Sequence, residues 1–276
     1  MSAPEPVLVA SLFAPLLEGL IELLGSLDAE EWERPTVNPQ WSVKDMAAHL
    51  LGGDVSILSR HRDRFLFSGD PFRQWNSLVE LINHLNTEWV AATGRLSPRL
   101  LVDMLRFTGE QATAFFQTID PYELGGPVSW AGNDPAPNWL DLAREYTERW
   151  HHQQQIRDAV GKPGFNEPAF MAPVLRAFVF AWPVANAAIV APEGTLLKLQ
   201  IAGEAGGEWF LRREPAGWQL HTEVDGDPAC LIQVDQEIAW RLFCRDMQPE
   251  QAAPHFEFNG DRSLAEPILQ MKSVIV

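Results

Sequence analysis

Cysteine is almost missing from this chain: two among 276 residues, Cys230 and Cys244. They form neither a CxxC pair nor a disulfide framework, which fits a reducing compartment and marks both as small core residues. Basic charge is also scarce. Against 37 Asp and Glu there are 21 Lys and Arg, a formal charge of -16, which repels a phosphate backbone and an anionic membrane surface alike. Neither nucleic acid nor a membrane is an expected partner. The first apolar run has no basic segment before it and is interrupted by Pro15 and Glu18, so a cleaved signal peptide is not expected and the cytoplasm is the expected location. A long membrane-type run is absent as well: APVLRAFVFAWPVANAAIVAP, 172–192, contains Arg176, Pro183 and Asn186 and reads as a buried helix with its connection. Gly-x-Ser-x-Gly, a phosphate-cradling P-loop, a dinucleotide fingerprint and HExxH do not occur. No internal repeat or low-complexity tract is visible.

What is present is enough apolar residue for a proper core, 46% of the chain, in a length that suits one large domain or two ordinary ones. The first 160 residues have helical period. A helix is expected over about 8–26, with Leu12, Leu16, Leu20, Leu23, Leu24 and Leu27 on one face. A second opens at WSVKD, where Ser42 is the N-cap and Asp45 completes a capping box, and carries Met46, Leu50 and Ile57 to about residue 66. A third covers roughly 73–93 through Leu78, Leu81, Ile82, Leu85 and Trp89; Ser97 and Pro98 begin a fourth, with Leu101, Met104, Leu105, Ala112 and Phe116 inward. PYELGGPVSWAGNDPAPNW, 121–139, is a Gly/Pro-rich loop of a length that is more often functional than idle. It leads into a helix that ends at Gly161, and GKPGFNEP follows as a linker.

Beyond about residue 190 the period becomes alternating. TLLKLQIAG, GEWFLRRE and GWQLHTEV predict three antiparallel strands and ACLIQVD a fourth, followed by a helix at QEIAWRLFCRD, a strand at HFEFNGD and a closing helix at SLAEPILQM. The expected organisation is a helical domain, 1–161, and an α+β domain, 162–276.

The chemistry-bearing stretch is EYTERWHHQQQIRDAVG, 145–161. On a helix Glu148 and His152, four apart, project from one face, and continuing by fours reaches Ile156 and Val160, so that this face is the inward one. An ionised Glu on a buried stripe requires a positive partner. His49 lies on or beside the inward face of the second helix, with Gly52 and Gly53 one turn on leaving space for a ligand. Two helices could therefore bring His49, Glu148 and His152 to one divalent metal with a position left open, a set that suits zinc. The same residues have a plainer explanation, because an i, i+4 Glu/His pair arises by chance and an inward His is commonly a hydrogen-bonded core residue. His151 is expected to point elsewhere and to line the mouth of the same cavity; His61, His84, His221 and His255 fall on polar faces or in turns and are expected to be exposed. The 11 Trp suit either an aromatic pocket or the core, and the core is the commoner use.

RPTVNPQWSVKDMAAHL resembles the Trp-Thr/Ser-Val-x-Asp-x-x-x-His-Leu segment of the DinB-like helical-bundle superfamily. LAREYTERWHHQQQIRDAVGKPG is similar to the Glu-x-x-x-His segment of its mycothiol-dependent maleylpyruvate isomerase branch, where more distant DinB-like members have His in place of Glu148. The resemblance implies a divalent metal, commonly zinc, held by His49, Glu148 and His152. The second half looks like the sterol-carrier-protein-like domain attached in this branch. One departure is Asn38-Pro39-Gln40 before Trp41, where relatives have Pro-Gly; it alters a turn and leaves the three candidate ligands in place.

The fold class so implied is α plus α+β: an N-terminal DinB-like up-down bundle and a C-terminal sterol-carrier-like domain, the latter closing one side of the cavity or holding the domains in register. The leading functional expectation is a metal-dependent isomerase or S-transferase that uses a low-molecular-weight thiol such as mycothiol on a small electrophilic substrate. Arg149, His151 and the 121–139 loop are its candidates for contact with thiol or substrate. Two other readings stay open: a non-catalytic metal-containing binding protein for an apolar ligand, and a metal-free helical scaffold in which Glu148 pairs with Arg149 or another cation.

Overall fold

The computed structural model describes residues 2–65 and 77–274. They form two compact units: a helical one of residues 9–65, 77–119 and 148–165, and a mixed one of residues 2–8, 120–147 and 166–274.

The helical unit contains α1 (Phe13–Gly25), α2 (Val43–Ile57), α3 (Leu78–Thr93), α4 (Pro98–Phe116) and the second half of α5 (Asn138–Val160). The capping box that starts α2 is present in full. Asp45 N–H donates to Ser42 Oγ at 3.3 Å while Ser42 N–H donates back to Asp45 Oδ2 at 3.0 Å, satisfying two donors that no helical carbonyl can reach. The α2 hydrogen-bond ladder then widens into a π-helical turn at Leu58–Arg62. Ser97 caps α4, with Pro98 at its first position, where no N–H is needed. The core of the unit joins Leu20, Leu23 and Leu24 of α1, Met46, Ala47, Leu50 and Leu51 of α2, Leu101 and Leu105 of α4 and Ile156 and Val160 of α5. These are the stripes that the helical period marked.

Three expectations for this unit change. The proposed start of the third helix, 73–76, lies outside the described residues, and within α3 only Leu81 and Thr93 are buried. Leu78 and Leu85 are 46% and 44% exposed, because α3 meets the rest of the unit along a narrow strip. The space beside Gly52 is taken by the Trp89 indole, which a Cβ at position 52 would meet at 2.7 Å; Trp89 Nε1 donates to Ala48 O at 2.8 Å. That glycine admits a neighbouring helix, and only Gly53 faces open space. The segment after α5 is no free linker. Gly161 (φ +67°) closes α5 with Gly161 N–H to Asp158 O and Lys162 N–H to Arg157 O, the two bonds of a Schellman cap. Trp150 Nε1 then donates to Phe165 O at 2.8 Å, and the Phe165 ring fills the space that a side chain at Gly19 would need.

The mixed unit is built on a five-stranded sheet of order β3-β2-β1-β4-β5, with β1 (Leu196–Ala202), β2 (Gly207–Glu214), β3 (Gly217–His221), β4 (Cys230–Asp235) and β5 (Glu257–Gly260). The first three strands form an antiparallel meander as expected; β4 joins β1 in parallel and β5 pairs antiparallel with β4. Leu197, Leu199 and Ile201 alternate inward on β1, as Cys230, Ile232 and Val234 do on β4. Helix α6 (Pro168–Phe178) packs against α7 (Gln236–Phe243) and is buried through Met171, Val174, Leu175 and Phe178, so the apolar 172–192 stretch serves as core as far as Trp182, while Val184 and Val190 beyond it are exposed. Trp139, Trp182, Trp209, Trp218 and Trp240 are buried here, and Trp32 and Trp150 in the helical unit, which is the core use of tryptophan. Both cysteines are free and buried. His221 departs from expectation: its side chain is 13% exposed and Nε2 lies 3.0 Å from Glu214 Oε1. Residues 121–137 form the expected loop, tied by a bridge between Leu124 and Pro137 and by Asn138 Nδ2 donating to Asp120 O, with Val128 and Trp130 buried beneath it.

Candidate metal centre

Helices α2 and α5 of the helical unit bring His49, Glu148 and His152 together. His49 Nε2 lies 3.1 Å from Glu148 Oε1 and 3.1 Å from His152 Nε2, and His152 Nε2 lies 3.0 Å from Glu148 Oε1. Among the described residues these are the His, Cys, Asp or Glu side chains grouped closely enough to hold an ion. The reason is local. Ser42 starts α2 one residue before Val43, which sets the rotation that turns Met46 and Leu50 into the core and leaves His49 on the shoulder of that face. On α5, Ile156 and Val160 bury the stripe on which Glu148 and His152 stand.

The two imidazoles are each 12% exposed and the Glu148 side chain 36% exposed, so the cluster is open to solvent on the carboxylate side. Trp41 covers His49, with ring centroids 5.0 Å apart. Burial would push the Glu148 carboxyl up, but the contacts with His152 and His49, and the nearby His151, hold it well below the ordinary carboxylate range. Burial lowers the His49 pKa, the Glu148 contact opposes this, and the His152 and Arg149 charges add to the lowering.

One further side chain belongs to the arrangement and escaped sequence reasoning. His152 Nδ1 lies 2.6 Å from Gln155 Oε1, one turn on along α5. An amide oxygen only accepts, so Nδ1 donates and, in the neutral ring, Nε2 presents a lone pair. That lone pair faces the Glu148 oxygen and His49 Nε2. With both rings neutral, at most one hydrogen, on His49, is left to serve three mutually close atoms, and a cation satisfies all three together. The spacing suits one. Tetrahedral zinc at about 2.0–2.1 Å from its ligands implies ligand-to-ligand distances of roughly 3.3 Å, a few tenths of an ångström beyond those found. The only sequence signal for Gln155 was its i+3 position relative to His152.

Of the other candidates, His151 is 3% exposed and its ring lies against that of His152, tilted by 40°, at 3.9 Å between centroids. Arg149 pairs with Asp54 of α2. Its Nη2 donates to Asp54 Oδ1 at 2.8 Å, and the guanidinium lies over the Phe116 and Phe13 rings at 5.0 and 5.7 Å. Leu50, Arg149 and Gln153, each the chain neighbour of a cluster residue, line a cavity of about 30 Å³ together with Asp54 and Gly109.

No curated protein matches the chain. Among the solved structures that resemble it are a crystal structure of the mycothiol-dependent maleylpyruvate isomerase, with a TM-score of 0.53, and one of a histidine-to-alanine mutant of that enzyme, with a TM-score of 0.52. Each is 11% identical in sequence, with 91% of this chain and 91% of the other covered, and at that identity the likeness establishes the shared fold. Residues 13–157 match the family model described as the mycothiol maleylpyruvate isomerase N-terminal domain. A match over more than half of the chain, running from α1 through the Glu148 and His152 turn, places the protein in the mycothiol maleylpyruvate isomerase family.

Proposed function

We propose that the chain is a metal-dependent, thiol-using enzyme, in which His49 Nε2, Glu148 Oε1 and His152 Nε2 hold a divalent cation, zinc being the first choice. The observation that carries this reading is the triangle of three ligand atoms 3.0–3.1 Å apart, contributed by two helices. Mycothiol or a similar low-molecular-weight thiol is the cofactor, and the substrate is a small electrophile. The reaction class is thiol addition to an activated double bond, giving isomerisation when the sulfur leaves again and an S-conjugate when it stays. When bound, the cation supplies a positive position that lowers the pKa of a thiol, so that thiolate exists near neutral pH.

The protein's own residues prepare that position. Glu148 is held ionised, and His49 is held neutral, the form in which an imidazole can donate its lone pair. With a divalent cation in place, two neutral rings and one carboxylate would leave a single positive charge there, which suits an anionic ligand. Trp41 shields His49 from water on one side, while the exposed flank of Glu148 leaves an approach for a ligand. A reducing cytoplasm is the compartment that suits such a thiol.

The test is a thiol-consumption screen with mycothiol, bacillithiol and glutathione against maleylpyruvate and related electrophiles, using zinc-loaded and chelator-treated protein. Acceleration by the loaded protein, lost on chelation and in His49→Ala, supports the reading. If no combination is accelerated, the enzymatic reading fails.

A further inference from the structure

We infer that Gln155 is a positioning residue that presets His152 for metal by fixing its tautomer. The inference rests on the proposed metal site, and it concerns a side chain that never touches the ion. Gln155 is 7% exposed and its Oε1 is 2.6 Å from His152 Nδ1. Both residues stand on α5, where three residues' separation stacks them on neighbouring turns. The ring is restrained on its other side by His151, whose ring lies tilted by 40° with its centroid 3.9 Å away, and by the edge-on contact with His49 at 4.6 Å between centroids. With the ring plane so held, the amide oxygen selects which nitrogen keeps the proton. Nδ1–H donates to Gln155, and Nε2 turns its lone pair toward His49 and Glu148.

The chemistry of the partner matters as much as its position. Outer carboxylates commonly accept from metal-bound His and raise its basicity. An amide orients the ring equally well and adds no charge. With Gln155 in that place the centre keeps the single positive charge that favours an anionic ligand; a Glu there would cancel it. Orientation and charge can therefore be separated by substitution. Gln155→Leu removes the acceptor at similar size, whereas Gln155→Glu keeps an acceptor and adds a negative charge.

Three measurements on the full-length protein decide the matter. Ring-nitrogen NMR of the metal-free protein at mildly alkaline pH is expected to show His152 protonated at Nδ1, and Gln155→Leu to populate the Nε2–H form. Zinc affinity, by competition with a chromophoric chelator, is expected to fall about 10- to 100-fold in Gln155→Leu and not to fall in Gln155→Glu. Thiocyanate, used as an anionic probe of the cobalt-substituted protein, is expected to bind more weakly to Gln155→Glu than to the parent. Circular dichroism establishes that each variant is folded. The inference is overturned if the parent ring carries its proton on Nε2, or if Gln155→Leu keeps both the parent tautomer and the parent zinc affinity. Should the parent bind no divalent metal at all, the proposed function falls, and the tautomer measurement alone then decides the role of Gln155.

Discussion

Arg149 Nη2 sits 2.8 Å from Asp54 Oδ1, and this ion pair ties α5 to α2 one residue after Glu148 and five after His49. The two side chains are 17% and 6% exposed, Thr108 Oγ1 donates to Asp54 Oδ2 at 3.3 Å, and two phenylalanine rings face the guanidinium. Removing one partner strands the other charge in the core, so Arg149→Met is expected to destabilise the protein by about 3–5 kcal/mol. The Asp54→Leu/Arg149→Met double variant should lose less than Asp54→Leu alone. Urea unfolding of the four proteins in the cycle measures this, and a double-variant loss equal to the sum of the two single-variant losses would show that the pair is not coupled.

His49→Ala, Glu148→Gln and His152→Ala are each expected to drop bound zinc from near one equivalent to a small fraction, because a site of three protein ligands loses most of its affinity with any one of them. Elemental analysis of dialysed protein reads this directly. Chelation should lower the thermal midpoint of the parent and leave that of His49→Ala unchanged, since a ligand bound by the folded state alone stabilises it by roughly 2.7 kcal/mol at a hundredfold excess over Kd. Acidification should release the metal, because protons compete for both imidazoles.

Gly19→Ala tests the packing of the segment after α5. An added Cβ would lie 2.1 Å from the Phe165 ring, and Phe165 is held at φ +59° with its carbonyl bonded to Trp150. Overpacking of this kind is expected to destabilise by about 1–3 kcal/mol. A Gly19→Ala/Phe165→Leu variant, in which the ring is gone, should recover part of the loss in the same denaturation assay.

Burial pushes the Cys244 thiol well above its ordinary value, with the Asp246 charge adding to it, and burial with the Asp261 charge raises Cys230. Neither should react with an alkylating reagent in the native protein, while both should react in denaturant. The sign of the linkage follows: above the ordinary thiol pKa the unfolded chain releases protons that the folded one retains, so stability falls as pH rises past about 9. A thiol count by mass spectrometry and a pH series of unfolding curves check both statements.

Much of this protein was legible without coordinates wherever local chemistry decides structure. Ser42 and Asp45 mark the start of α2 because the capping box is made within four residues, and Gly161 marks the end of α5 because its left-handed conformation suits glycine. The alternation in Leu196–Ala202 and Cys230–Asp235 fixes which residues face inward, since the strand period is two. The i, i+4 geometry of Glu148 and His152, followed by Ile156 and Val160, identifies the buried stripe of α5. What the sequence could not decide was which distant surfaces meet. That His49 reaches the α5 pair, that Arg149 turns to Asp54 and that Trp89 fills the space at Gly52 all depend on how helices pack. Those outcomes are set by contacts between residues as many as 103 positions apart, where no local period or propensity carries information and only the folded arrangement does.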